Sequence, residues 1–195
     1  MAVHLTRIYT RTGDDGTTAL GDMSRVGKTD PRVVAYADCD ETNAAIGVAL
    51  ALGSPADDLR AVLEGIQNDL FDLGADLSTP ARPEGYTTPA LRVTDAYVER
   101  LEGWCDEYNA RLGKLDSFLL PGGTPLAALL HVARTVARRA ERSAWALEAS
   151  LAPDGHVTPA ALHYLNRLSD LLFILARVAN PDGDVLWRPG GGTGA

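Results

Sequence analysis

The sequence predicts an all-α protein: one domain, a bundle of five helices. Three observations carry that expectation. Four dipeptides, Asp30-Pro31, Ser54-Pro55, Thr124-Pro125 and Thr158-Pro159, place an N-cap side chain just before a proline. Proline suits the first helical position, where its missing N–H has no intrahelical partner to lose. Each is followed by a long stretch with apolar residues three and four apart, the spacing of a helix with one buried face. Beyond "HLTRIYT" no stretch alternates apolar and polar residues as a half-buried strand would.

With Thr94-Asp95 as a fifth start, and Gly53 and Gly113 as C-terminal caps, the expected helices lie near 31–52, 55–77, 94–112, 125–150 and 159–179. The fifth carries the seam Ala161, Leu165, Leu168, Leu172, Leu175 and Ala179. The fourth carries Leu126, Leu130, Ala133, Ala137, Ala140, Ala144 and Leu147. So many alanines imply a close neighbouring helix. Between them lie an N-terminal loop (10–30), a Pro-rich connection (79–93), "LDSFLLPGG" and a tail over 181–195 expected to be flexible.

The bulk numbers exclude several classes. The chain has 195 residues, 46% of them hydrophobic and 23% charged, with a formal net charge of −8. That charge opposes general binding to nucleic acid or an anionic membrane. Cys39 and Cys105 are too few for a disulfide framework or zinc site and read as structural thiols. "MAVHLTRIYT" lacks the apolar core of a signal peptide, and no apolar run approaches the roughly 20 residues of a membrane span, so a cytoplasmic protein is expected.

"GDMSRVGKT" looks like a phosphate-binding P-loop but has five residues, Asp22 to Val26, where that motif has four, and no strand-to-helix context. The surrounding "TRTGDDGTTALG" is turn-forming by composition. It could equally cradle an anion on its N–H groups and hydroxyls, with Lys28 as a point charge and an aspartate free to meet Mg²⁺. In the fourth helix, Arg134, Arg138, Glu141 and Trp145 share a face flanked by Arg139 and Arg142. This is either a solvated face or a grip for a polyphosphate, which guanidinium groups hold bidentately. Asp40 lies one turn from Tyr36, close to Ala37 and Ala44, with an arginine of the fourth helix as its candidate partner. Asn166, Asp170 and Phe173 share a face of the fifth helix. His131 and His163 have no metal-ligand partner at helical spacing, and no Ser-His-Asp or Cys-His arrangement is suggested. Trp104, Trp145 and Trp187 read as packing residues.

Together, "RIYTRTGDDGTTALG", "KTDPRVVAYADCDETNAAIG", "FLLPGG", "ARTVARRAERSAW" and "YLNRLSDLLFILAR" resemble the PduO-type ATP:cob(I)alamin adenosyltransferases, in the family's order across residues 7–179, and are similar to its actinobacterial branch. Thr42 stands where many relatives carry leucine. The resemblance implies a homotrimer with a site at each subunit interface. It also implies transfer of the 5′-deoxyadenosyl group of ATP to the cobalt of reduced cobalamin, with Mg²⁺ present and triphosphate released. Thr10, Arg11, Thr12, Gly13, Thr18 and Lys28 would hold the phosphates. Arg138, Arg139, Glu141, Arg142 and Asn166 would contact ATP from the neighbouring subunit. Asp40 would pair with Arg134 across the interface, and Phe118 would lie under the corrin ring. An adenosylcobalamin-dependent mutase and a corrinoid reductase would be transient partners. Two rivals remain: a carrier that delivers ATP or adenosylcobalamin with little turnover, and a non-catalytic helical scaffold.

Overall fold

The computed structural model describes residues 9–81, 90–153 and 155–190. Five helices form the body: α1 (Pro31–Leu52), α2 (Asp57–Ser78), α3 (Asp95–Asn109), α4 (Pro125–Leu151) and α5 (Pro159–Val178). Ahead of them, β1 (Thr17–Ala19) and β2 (Arg25–Gly27) form an antiparallel hairpin with Thr18 opposite Val26. The sequence predicts only a loop over 10–30, and the hairpin is a departure from it. A three-residue strand is too short to show alternation, and its pairing is set by the intervening turn, where Met23 takes a φ of 71°. Much of "HLTRIYT" and most of the 79–93 connection lie outside the described residues.

α1 packs antiparallel to α4 and to α2, whereas α3 and α5 run parallel, Glu102 meeting Arg167 and Gly113 meeting Arg177. Ser143 of α4 donates to the Asp38 carboxylate of α1 (2.5 Å), and Gly53 at the end of α1 lies against Leu126 at the start of α4. Asn43 and Gln67 exchange side-chain-to-backbone hydrogen bonds between α1 and α2. α4 and α5 meet along the predicted alanine and leucine seams, whose residues are buried from Leu126 to Leu147 and from Ala161 to Leu175. Alanines there let the α4 backbone approach α1 and α5 closely.

Two acids hold the far side. Asp69 of α2 accepts from Arg100 of α3 (2.5 Å) and Tyr164 of α5 (3.0 Å). Asp76 accepts from Arg92 (2.6 Å), the Val93 N–H (2.8 Å) and the Thr158 hydroxyl (2.9 Å). That last bond explains why Thr158, although at the N-cap of α5, makes no capping bond. Asp30 and Thr124 do cap, accepting from the N–H groups of Arg32 and Ala127. α2 starts later than expected: Ser54 has a φ of 51°, which an extended N-cap cannot have, so Ala56 takes that position and Pro55 stays outside the helix. α3 ends at Asn109, short of Gly113.

Both cysteines are free; burial pushes the Cys39 thiol up to about 12 and the Cys105 thiol to about 11. Among the described residues no helix is long and apolar enough to cross a membrane.

Candidate functional site

The N-terminal segment owes its shape to its own short polar side chains. Asp15 accepts from the N–H and hydroxyl of Thr17, and Asp22 from those of Ser24, so each carboxylate closes a turn and is held below its usual range by those bonds. Arg25 donates to the Thr12 carbonyl (2.6 Å) and to the Thr17 hydroxyl, tying the first turn to β2. Arg11 stands at a φ of 63°, and the Thr10 and Thr12 hydroxyls are hydrogen-bonded to each other at 2.8 Å. The Lys28 N–H donates to the Gly16 carbonyl, and its ammonium lies over Gly13, about 3.3 Å from where a Cβ there would be. Among the described residues Lys28 forms no ion pair with a carboxylate, and Thr18 lies in β1 opposite Val26 of β2. The P-loop look-alike is thus the turn and second strand of a β-hairpin, and the ammonium of its lysine lies over the Gly13 turn.

This hairpin docks on the ends of α1 and α2. The Gly21 N–H donates to the Ser78 carbonyl (2.9 Å), so close to Thr79 that any side chain at Gly21 would collide with its hydroxyl. Between hairpin and helices lies a groove of about 550 Å³ lined by Leu20, Tyr36, Ala37, Asp40, Asn43 and Phe71. Asp40 is exposed there, and Ala37 and Ala44 are exposed beside it rather than part of a seam within the chain. The α1 acids that meet an α4 arginine in the same chain are Asp38 and Glu41, which both engage Arg139.

On another side of the bundle α4 and α5 present a second polar face. Glu141 accepts from the Asn166 amide (3.0 Å), whose oxygen accepts from Arg167 (2.8 Å). Arg142 donates to the Arg138 carbonyl. Arg134, Arg138 and Arg142 have no ion-pair partner among the described residues. Burial and the like charge of Arg138 lower the Arg134 pKa, and its Nε has no hydrogen-bond partner. Three adjacent guanidinium groups, none in an ion pair and with Asp170 exerting an opposing field on Arg138, form a site that favours an anion. Asp170 faces the same surface, its pKa raised by burial against the opposing pull of Arg167 and Arg138.

Phe118 stands 77% exposed in the segment between α3 and α4. With Arg134, Phe173 and Leu115–Ser117 it lines a cavity of about 700 Å³. His131, buried behind it, meets Phe173 edge to face at 6.0 Å. The segment after α5, expected to be flexible, is tied to this region as far as Trp187: Leu120 donates to the Val185 carbonyl and Trp187 to the Phe118 carbonyl, both at 2.7 Å. Residues 191–195 lie outside the described residues.

Against known proteins, the cobalamin adenosyltransferase family model matches residues 8–179. The chain belongs to that family. It is 72% identical over 192 residues to a corrinoid adenosyltransferase of Mycobacterium tuberculosis, covering 98% of this chain and 97% of that one. It is 67% identical over 193 residues to the corrinoid adenosyltransferase of Mycobacterium leprae, covering 98% and 100%. Among solved structures it is similar to a variant PduO-type ATP:corrinoid adenosyltransferase from Lactobacillus reuteri complexed with cobalamin and ATP. That likeness has a TM-score of 0.82 and 37% identity, and covers 94% of this chain and 97% of the other.

Within the adenosyltransferase fold of one chain, the candidate residues fall into two groups. Thr10–Gly13, Thr18, Lys28 and Asp40 belong to the hairpin and its groove. Arg134, Arg138, Glu141, Arg142, Asn166 and Phe118 belong to the α4–α5 side. Arg139 is held by Asp38 and Glu41, so it ties α1 to the helix that carries the free arginines. Sequence reasoning missed His131 beside Phe173, and Trp187 beside Phe118; their apolar neighbours are far away in the chain.

Proposed function

We propose that this chain transfers the 5′-deoxyadenosyl group of ATP to the cobalt of cob(I)alamin, yielding adenosylcobalamin and triphosphate. The observation that supports it most is the likeness, over nearly the whole chain, to a transferase held with both cobalamin and ATP. The cobalt(I) electron pair attacks C5′, a cobalt–carbon bond forms, the C5′–O bond breaks, and its electrons leave on the triphosphate. Because the corrinoid is the nucleophile, the protein needs no attacking side chain; it aligns C5′ with cobalt and stabilises the departing charge. Lys28 and the Thr10–Gly13 turn take the phosphates from one side, and Arg138, Arg142 and Asn166 from the other, with Glu141 fixing Asn166.

The separation of these groups in one chain supports a site completed by a second copy, in a closed homotrimer in which Asp40 meets Arg134 of the neighbour. Among the described residues, Lys28 and Asp40 of the first group and Arg134 of the second form no ion pair. Mg²⁺ is proposed to arrive on the phosphates. The described residues contain no cluster of three or more His, Cys, Asp or Glu arranged for a metal. Phe118 is proposed to occupy the lower axial side of the corrin. Four-coordinate cobalt(II) then results, and it is more easily reduced. A cytoplasmic setting, with a reductase upstream and a mutase downstream, fits this chemistry.

The test mixes protein, MgATP and chemically reduced cobalamin without oxygen and follows the corrin spectrum. Light-sensitive adenosylcobalamin should form in excess over protein. Product that stops at one equivalent per site would favour the carrier instead, and an unchanged spectrum would reject both.

A further inference from the structure

We infer that Trp187 is a positioning residue for Phe118, and that the segment after α5 is the strap that presents it. The inference rests on the reading of Phe118 as the group beneath the corrin. A mostly exposed phenylalanine on a short connection has little of its own to fix its ring. Here the opposing side is closed: the Trp187 ring meets it edge to face, centroids 6.1 Å apart and planes at 67°, an arrangement favoured by the ring quadrupoles. The 700 Å³ cavity bordered by Phe118, Arg134 and Phe173 lies on one side, while Trp187 lines a separate pocket with Ser117, Leu120 and Val185. The phenylalanine therefore stands between the cavity and the tryptophan.

The strap is anchored at both ends. Leu119 and Leu186 form an antiparallel bridge, closed by the two 2.7 Å backbone bonds, and the Ser117 hydroxyl donates to the Trp187 carbonyl (3.2 Å). At its root, Arg177 pairs with Asp184 (2.8 Å), both side chains largely buried, and the Asn180 amide donates to the Gly183 carbonyl (2.6 Å). Asn180 also presses against Gly123, whose φ of 98° and missing Cβ leave room for it. The backbone of residues 117–120 is thus fixed to residues 185–187, and the tryptophan ring limits how far Phe118 can swing away from the cavity.

The experiment compares Trp187→Ala, Trp187→Phe, Phe118→Ala and the double alanine variant in the full chain with ATP. Trp187→Ala should lower the four-coordinate cobalt(II) signal in electron paramagnetic resonance and slow transfer from cob(II)alamin plus reductant by roughly tenfold. Transfer from pre-reduced cob(I)alamin should stay within about twofold, with ATP affinity unchanged. Trp187→Phe should restore the signal, and the double variant should be no worse than Phe118→Ala. If Trp187→Ala does not fold, Trp187→Leu, which keeps bulk without a ring edge, takes its place with the same expectation. A full signal in Trp187→Ala alongside a lost one in Phe118→Ala overturns the inference and leaves the Phe118 reading standing. A full signal in Phe118→Ala removes that reading and the inference with it.

Discussion

Arg138 carries the sharpest expectation among single residues. It shares its surface with Arg134 and Arg142, none of the three forms an ion pair among the described residues, and Asp170 offsets part of their charge. An anion in the site would neutralise the rest, so Arg138→Ala should cut transfer by about 10²–10³ while the thermal unfolding temperature holds or rises, because a like-charge contact has gone. Wild-type turnover in that variant would remove the phosphate grip from the account. His131 gives a pH expectation. Burial first, then Arg134, lowers its pKa from the ordinary 6.5, against a weaker opposing pull from Asp184. The fold therefore favours the neutral ring. Its contribution to stability is present above about 6.5 and is lost as pH falls below that value toward the lowered one, because the unfolded chain takes up the proton first. Urea midpoints should fall between pH 7.5 and 5, and less steeply in His131→Gln; equal slopes would show that His131 is not the group responsible. At this scale the sequence made the charged residues visible as a shared helical face, since helical spacing is local. It could not show that Arg139 turns to Asp38 and Glu41, or that Phe118 is backed by Trp187, because those pairs come from distant parts of the chain.

Among the elements, α4 is the most exacting. Its alanines at 133, 137, 140 and 144 have no accessible surface, so the helix sits at a backbone separation that only a methyl group allows. Ala137→Leu should destabilise the fold by about 1–3 kcal/mol through overpacking, read as a lower midpoint in urea. No loss there would mean the seam has slack. Three of the four Xaa-Pro starts predict α1, α4 and α5 closely, because capping chemistry is written in adjacent residues. α2 departs from its signal since Ser54 is held in a left-handed conformation by the tight α1–α2 connection. The hairpin was not legible at all. It exists because Asp15 and Asp22 close their turns and Gly21 fits against α2, and the second of those conditions is tertiary.

For the whole molecule, the division of candidate residues into two surfaces gives the strongest test of assembly. If the site joins the hairpin of one copy to α4 of the next, Lys28→Ala and Arg138→Ala proteins are each inactive alone. Unfolded and refolded together in equal amounts, they should regain about a quarter of wild-type activity, the share of interfaces where an intact hairpin meets an intact α4 under random mixing. No recovery in demonstrably mixed oligomers would place the site within one chain. The sequence by itself determined the helix count, the core seams and the family, because periodicity, caps and motif order are properties of neighbouring residues. Tertiary structure alone decided which charges are neutralised and which stay free, where the hairpin docks, and that the segment after α5 returns to Phe118. Those outcomes depend on surfaces that meet only when the helices pack, and no short window of sequence contains both partners.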